Sequence, residues 1–386
     1  FVHELARRLS GRFEVHALVP HAAGTNTAEL MDGVQVHRFR YLPARFETLA
    51  YGGGMLPGLR TRPWRLLALP VFLAVELMAA VRLLRRRRYS VVHAHWLLPH
   101  GLIAVFARAM CGYRPAIVCT AHGADVYGLR GRFADAVRRY VIARCELVAT
   151  VSNAMLRTLA RSEKTSDRLV VLPMGVDMAV RFVPAASGQD ANRLLFVGRL
   201  AEKKGLNVLL DALPGLIVTH PRLRLSIIGE GAEEARLRRQ VSDLHLTQHV
   251  EFTGALTNQE LPAWYQRASI LVFPSVITSY GDQEGLGLVP IEALACGCAV
   301  VASDLPAVRD VIRDGETGLL AAPGDPVALA AAVRKLLDNP AQRQRLAAQG
   351  RAYAQAHFDW DGIAARYVLL FDAAVKEITR SGANES

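Results

Sequence analysis

A chain of 386 residues is too long for one ordinary core and is expected to form two domains of usual size. With 51 % hydrophobic against 21 % charged residues it has the apolar content of a folded protein, which excludes an intrinsically disordered one. The formal charge of +11 favours an anionic partner: a phosphate-bearing substrate, an anionic membrane surface or nucleic acid.

The opening FVHELARRL reads as the middle of an amphipathic helix. A strand is expected before Phe1, in a central position of the first sheet; no secretory leader is recognised. Strands follow at 14–20 (EVHALVP) and 34–40 (VQVHRFR), then at 91–96 (VVHAHW) and 116–122 (AIVCTAH), with a helix at 101–109 between the last two. A further strand falls near 147–151. This alternation argues for a parallel sheet covered by helices. After Leu172 the segment PMGVDMAVRFVPAASGQDA loses periodicity and gathers proline and glycine, as an interdomain connection does. A second alternating run then carries strands in RLLFVGRL, RLSIIGEG, VEFTG, ILVFPS, AVVASD and GLLAAPGD. Its helices are placed at 206–216, 261–267, 289–296 and 326–337, and two more at 343–358 and 360–378 close the chain before the polar tail SGANES. Ligands of such sheets bind at the carboxyl ends of the strands, so the cleft between the two domains is the expected site.

The five cysteines are odd in number and mostly in apolar surroundings, so they read as buried thiols of a reducing compartment. Cys296 and Cys298 lack the second pair that a zinc site would need.

One stretch of the first half stands apart. From 66 to 81 the only charged residue is Glu76, and Arg82 and then Arg85 to Arg88 follow. The run is shorter than the roughly 20 residues of a bilayer span and contains Pro70, so no transmembrane helix is expected. It reads either as an interfacial helix with a cationic patch for acidic lipids, or as a buried helix with a solvated arginine end. The glycine- and proline-rich segment before it, at 50–64, reads as a flexible loop of the acceptor region.

The densest chemical signal is EGLGLVPIEALACG. Gly285 and Gly287 let backbone amides approach a ligand, and Pro290 is tolerated in a first helical turn. The free amides of that turn suit a diphosphate. Glu284, just ahead, is placed to accept from sugar hydroxyls, and Glu292, further along the helix, from ribose hydroxyls. A plain glycine turn between two solvated glutamates has the same sequence. In GRLAEKKGL, Arg199 offers a fork of donors and Lys204 a point charge to phosphate oxygens. An ordinary basic helix start is the alternative, and it fits Lys203 better than its neighbour. GEG at 229–231 is a weaker glycine-rich strand end. In TAHGADVY, His122 and Asp125 follow a strand, suited to substrate, to each other or to a structural role. HAHWLLPHG supplies His93, His95 and His100 in a spacing that mixes strand and loop, so zinc is not expected. Ser152 and Asn153 end a strand, facing an acceptor or capping a helix.

Taken together these motifs resemble the retaining glycosyltransferases of the GT-B fold, and within them family 4 (glycosyl transferases group 1), which includes bacterial hexosyltransferases of cell-surface glycan and glycolipid synthesis, sucrose synthase and glycogen synthase. The resemblance runs over nearly the whole chain, through FVHELARRL, TAHGADVY, VLPMGVD, VGRLAEKKGL, the acidic motif 284–292 and HFDWDGIAARY. It implies an α/β protein with two Rossmann-like domains facing across a cleft. These are an acceptor-binding domain at 1–172, a linker at 173–189 and a donor-binding domain at 190–357, with a helix at 358–380 packing back on the first domain. It implies a donor site at Gly198, Arg199, Lys204 and Gly229, continued by Glu284, Gly285, Leu286, Gly287, Leu288, Val289 and Glu292. His122 would sit beside the reacting sugar, and with Arg199, Lys204 and Glu284 makes up the expected catalytic set. His95, Asp125, Ser152 and Asn153 lie on the acceptor side. The family's glycine-rich loop is expected ahead of Phe1.

The implied reaction moves a hexosyl unit from a UDP- or GDP-sugar to a hydroxyl of a saccharide or lipid-linked saccharide, with retention and without a metal or other cofactor. The implied setting is cytoplasmic, at the inner face of the bacterial cytoplasmic membrane, with an anionic membrane surface as a candidate partner and no nucleic acid. A sugar-nucleotide epimerase, an inverting transferase of related form and a noncatalytic nucleotide-sugar-binding protein are the alternatives.

Overall fold

The computed structural model describes residues 1–50, 63–160, 167–185 and 188–383. The segment at 50–64 falls mostly outside them, as do Ala186 and Ser187 of the expected linker and the end of the polar tail. The chain forms two compact units. The first comprises the described residues of Phe1–Val151, Met155–Leu172 and Ala364–Ser386; the second comprises Ser152–Ala154 and Pro173–Ile363.

In the first unit β1 (Val15–Pro20) pairs in parallel with β3 (Val34–Phe39), whose other edge takes β2 (Ala28–Met31) antiparallel. Asp32 and Gly33 connect β2 to β3, both with positive φ (48° and 81°), as the two-residue turn of a twisted hairpin requires. Neither β2 nor this turn was expected from the sequence. A second sheet runs in chain order through β4 (Val91–His95), β5 (Ala116–Ala121), β6 (Leu147–Thr150) and β7 (Leu169–Val171), all parallel. Every residue of β5 is buried, which accounts for its unbroken apolar run. The closing helix Trp360–Ala383 contributes to this unit: the Tyr367 hydroxyl lies 3.2 Å from Thr120 Oγ1, and Phe371 packs on His93.

The helix Leu69–Arg86 buries Phe72, Val81 and Leu84, and lays its last turn on the helix Leu102–Cys111, where the Arg85 guanidinium donates to the Met110 carbonyl at 2.8 Å. Glu76 faces inward and meets His100 Nδ1 at 2.6 Å. With the preceding turn and the first arginines, the helical segment reaches 21 residues, Leu66–Arg86, and its most apolar 18-residue stretch has a mean hydropathy of 2.1, long and apolar enough to cross a membrane by length and composition. That exceeds the apolar run counted in the sequence, because Arg82, Arg85 and Arg86 continue the helix. One face is nevertheless committed to the unit through Phe72, the Glu76–His100 pair, Val81 and Leu84.

The second unit is built on a six-stranded parallel sheet. It contains β8 (Asp190–Val197), β9 (Arg224–Ile228), β10 (Val250–Gly254), β11 (Ala268–Phe273), β12 (Ala299–Ser303) and β13 (Leu319–Ala321), ordered β10-β9-β8-β11-β12-β13. β11 and β12 are buried throughout, as their β-branched sequences predict. Helices Leu206–Thr219 and Pro326–Asp338 cover a core that includes Phe196, Leu209, Leu213, Ile270, Val301 and Val333. Strand order reverses at β8, which has β9 on one side and β11 on the other. The carboxyl ends of β8 and β11 therefore form the switch point at which doubly wound sheets bind ligands.

Candidate functional site

At that switch point β8 is followed by Gly198 and Arg199, and a short turn at Glu202–Lys204 leads to Gly205. Gly205 has φ of +62°, and a Cβ there would lie 1.9 Å from the Pro274 carbonyl oxygen, so only glycine lets this turn rest against the end of β11. The Val276 amide donates to the Lys203 carbonyl at 2.8 Å and fastens the two segments. This places Lys204 Nζ 2.9 Å from Glu284 Oε1 and 5.2 Å from the Phe273 ring centroid. Ser275 Oγ donates to the same Glu284 oxygen at 3.4 Å. Lys203 turns to Asp282 at 3.2 Å.

Glu284 is only 9 % exposed. Burial pushes its carboxyl pKa up, but the Lys204 and Lys203 charges and the hydrogen bonds from Lys204 and Ser275 outweigh it and hold the group below the usual carboxylate range. The turn 285–287 then leads into the helix Leu288–Ala295, whose first residues receive no side-chain cap. Its N-cap residue is Gly287, so its opening amides are left to water or to an anionic ligand. Glu292, in the second turn, accepts from the Tyr265 hydroxyl at 2.7 Å and has its pKa raised by burial. On the far side of β8, Gly229 (φ +135°) closes against Gly198: a Cβ would meet the Gly198 carbonyl oxygen at 2.0 Å. The β8 and β9 chain ends thus continue side by side beyond the sheet, with the Leu200 amide donating to the Glu230 carbonyl at 2.9 Å. Arg199 stands exposed at this rim and has no ion pair among the described residues.

The first unit gathers a second group at the ends of β4 and β5. Parallel pairing of those strands brings His95 Nδ1 within 3.0 Å of His122 Nε2, and the Trp96 ring lies 4.8 Å from the His122 ring. Burial holds the His95 and His122 pKa values well below the ordinary imidazole value, reinforced at His95 by His93 and His100 and at His122 by His95, and burial takes His93 down to about 3. These imidazoles are neutral near pH 7, each offering one donor and one acceptor. Asp125 is buried, and its carboxylate accepts from the amides of Leu97 (2.7 Å), Gly123 (3.0 Å) and His122 (3.1 Å). It thus clasps the loop that presents His122 and neither touches the imidazole nor faces outward. Ser152 is fully buried; Asn153 opens a helix, its amide bonded to Asp310 Oδ2 at 2.6 Å.

The structure therefore joins Lys204 to Glu284 with the 285–287 turn alongside, and His95 to His122. It leaves Arg199 unpaired and ties Glu292 to a tyrosine that the sequence had not singled out. Ser275 and Phe273 were also missed: they end the strand ILVFPS, whose pattern announces only a buried strand.

The first part of the chain, residues 1–180, matches the family described as Glycosyltransferase Family 4, and residues 181–353 match Glycosyl transferases group 1. The chain is similar to the glycogen synthase of Mycobacterium tuberculosis, 33 % identical over 297 residues that cover 75 % of this chain and 70 % of the relative. It is also similar to the GDP-mannose-dependent alpha-(1-6)-phosphatidylinositol monomannoside mannosyltransferase of Mycolicibacterium smegmatis, 32 % identical over 283 residues, 70 % and 73 % of the two chains. Sucrose-phosphate synthase from Thermosynechococcus elongatus shares the fold, with a TM-score of 0.78 at 24 % identity over 96 % of this chain and 92 % of that one. So does Anabaena HepE, solved with UDP and glucose, with a TM-score of 0.73 at 18 % identity over 96 % and 94 %.

Proposed function

Because the chain belongs to glycosyltransferase family 4 and is a nucleotide-sugar-dependent hexosyltransferase, we propose that it moves a hexosyl unit from a UDP- or GDP-sugar, with retention, to a hydroxyl of a lipid-linked saccharide or a surface polysaccharide. The observation that carries this reading is the Lys204–Glu284 contact beside the uncapped helix start at the strand-order switch point. A diphosphate binds the free amides of that helix together with Lys204 and the unpaired Arg199. Glu284 then grips sugar hydroxyls and Glu292 a ribose hydroxyl; neutral His122, in the first unit, offers one donor and one acceptor to a hydroxyl.

In the reaction the bond from the anomeric carbon to the diphosphate oxygen breaks while the bond to the acceptor oxygen forms on the same face. The departing phosphate oxygen takes the acceptor proton. Charge thus grows on the diphosphate, where Lys204, Arg199 and the helix amides stabilise it without a metal. The glutamates are not a glycosidase pair, since Glu284 is held ionised by a lysine and Glu292 is hydrogen-bonded along the donor side.

The full-length protein, incubated with UDP- and GDP-hexoses and saccharide acceptors, is expected to release nucleoside diphosphate and give a product heavier by one hexose. Nuclear magnetic resonance of that product should show the donor's anomeric configuration. An inverted linkage, an epimerised donor, or tight nucleotide binding without turnover would each replace this reading with one of its alternatives.

The membrane surface and the inner-face location are part of the same proposal. Leu67, Val71 and Met78 lie along one side of the apolar helix (Leu67 83 % and Met78 61 % exposed), followed on that side by Arg82 and Arg85. Arg85 reaches Met110, beside which Phe106 is also exposed. An apolar stripe running into arginines fits an acidic lipid surface. Neutral replacements at Arg85 to Arg88 are expected to weaken co-sedimentation with phosphatidylglycerol-containing vesicles on the order of a thousandfold, at about 1 kcal/mol for each of the four arginines. Unchanged sedimentation would remove the membrane from the proposal.

A further inference from the structure

Resting on the reading above of Glu292 as the ribose contact, we propose that Tyr265 is a positioning residue: it presets the Glu292 carboxylate for the donor ribose and thereby sets selection of ribonucleotide over deoxyribonucleotide donors. Tyr265 lies in the helix Leu261–Arg267 and is completely buried, with Phe182 against its ring. Its hydroxyl donates to Glu292 Oε2 at 2.7 Å. A carboxylate on a three-bond stem has several orientations open to it; one fixed donor on one oxygen selects among them. The tyrosine bond falls on Oε2, so Oε1 is the oxygen left to accept from a ligand hydroxyl.

Tyr265 serves a second purpose in the same contact. Burial pushes the Glu292 carboxyl up, and the tyrosine hydrogen bond opposes that push. The phenol is itself driven well above its ordinary pKa, by burial first and then by the glutamate charge, so it remains a donor across the working pH range. A tyrosine that merely filled the core would contribute the same ring volume without constraining the carboxylate. Its replacement by phenylalanine separates the two cases, because the ring is kept and only the donor is lost.

In Tyr265→Phe the KM for the ribonucleotide donor is expected to rise roughly tenfold, in the range of one hydrogen bond to a charged group, with kcat within about twofold. The preference for the ribose donor over its 2′-deoxy or 3′-deoxy counterpart should fall by a similar factor. Glu292→Gln should show the same loss of preference, and adding Tyr265→Phe to it should change the preference no further. Calorimetric binding of the nucleoside diphosphate and its deoxy forms reads the same discrimination without turnover. A wild-type enzyme that turned over no nucleotide sugar would therefore refute the proposed function while leaving this test readable. Equal losses on ribose and deoxyribose ligands, or an unchanged preference, would make Tyr265 a core residue only and overturn the inference.

Discussion

Glu284→Gln is expected to lower kcat for hexosyl transfer by roughly 10²–10³-fold, the size of effect seen when one well-placed polar group is removed from a transition-state site, while the protein remains folded. The substitution keeps the shape of the side chain and leaves an oxygen facing Lys204 and Ser275, which lie 2.9 and 3.4 Å from Oε1. What it removes is the negative charge that grips sugar hydroxyls as the anomeric carbon becomes electron-poor. Affinity for the free nucleoside diphosphate should be retained or increased, because Lys204 is released from its carboxylate and has its full charge available for phosphate. A normal melting temperature together with collapsed kcat identifies a contact made by the reacting sugar. Near-normal turnover in the folded variant would mean that Glu284 does not touch the sugar.

The sequence carries most of this arrangement in its strand ends. β-branched runs mark β4, β5, β8, β11 and β12, and glycines at 198, 205, 229 and 287 fall where chain ends approach one another or a helix begins. β2 and β7 went unseen for different reasons. β2 is largely exposed, AELM, and lacks an apolar face, although Asp32–Gly33 beside it is a hairpin signal. β7 has three residues and merges with the proline- and glycine-rich stretch that follows. Side-chain partners were less legible than elements. The Lys204–Glu284 pair depends on Gly205 lying against Pro274, a contact between segments remote in sequence. The His95–His122 pair depends on β4 and β5 being neighbours. Asp125 looked like a ligand contact because a carboxylate after a strand often is one; three backbone amides claim it instead. Tyr265 was concealed by its helix, since an aromatic at an inward position announces packing and says nothing of where its hydroxyl points.

Lys204→Met is expected to abolish most transfer and also to destabilise the second unit by about 3–5 kcal/mol near neutral pH, the usual cost of stranding one member of a buried ion pair. Both partners are well sheltered, with side-chain exposures of 16 % and 10 %. In the native protein burial raises the Glu284 pKa and Lys204, as the largest opposing influence, helps bring it below the usual carboxylate range. A lowered folded-state pKa contributes stability that is fully present above the unfolded carboxyl pKa and is lost as pH falls through the lowered value. Without Lys204, burial dominates and the carboxyl pKa moves up, so the sign reverses: ionisation now opposes folding as pH rises past the unfolded value. Urea denaturation at a series of pH values should therefore show wild type and Lys204→Met furthest apart near pH 7 and converging toward about pH 4, where the stranded carboxyl is protonated. Adding Glu284→Gln to Lys204→Met should recover much of the neutral-pH stability but none of the activity, because the charge that had no partner is gone while the phosphate cation is still missing. A stability gap that stayed constant with pH would show that Lys204 acts by packing on Phe273, 5.2 Å away, and not by holding Glu284 ionised.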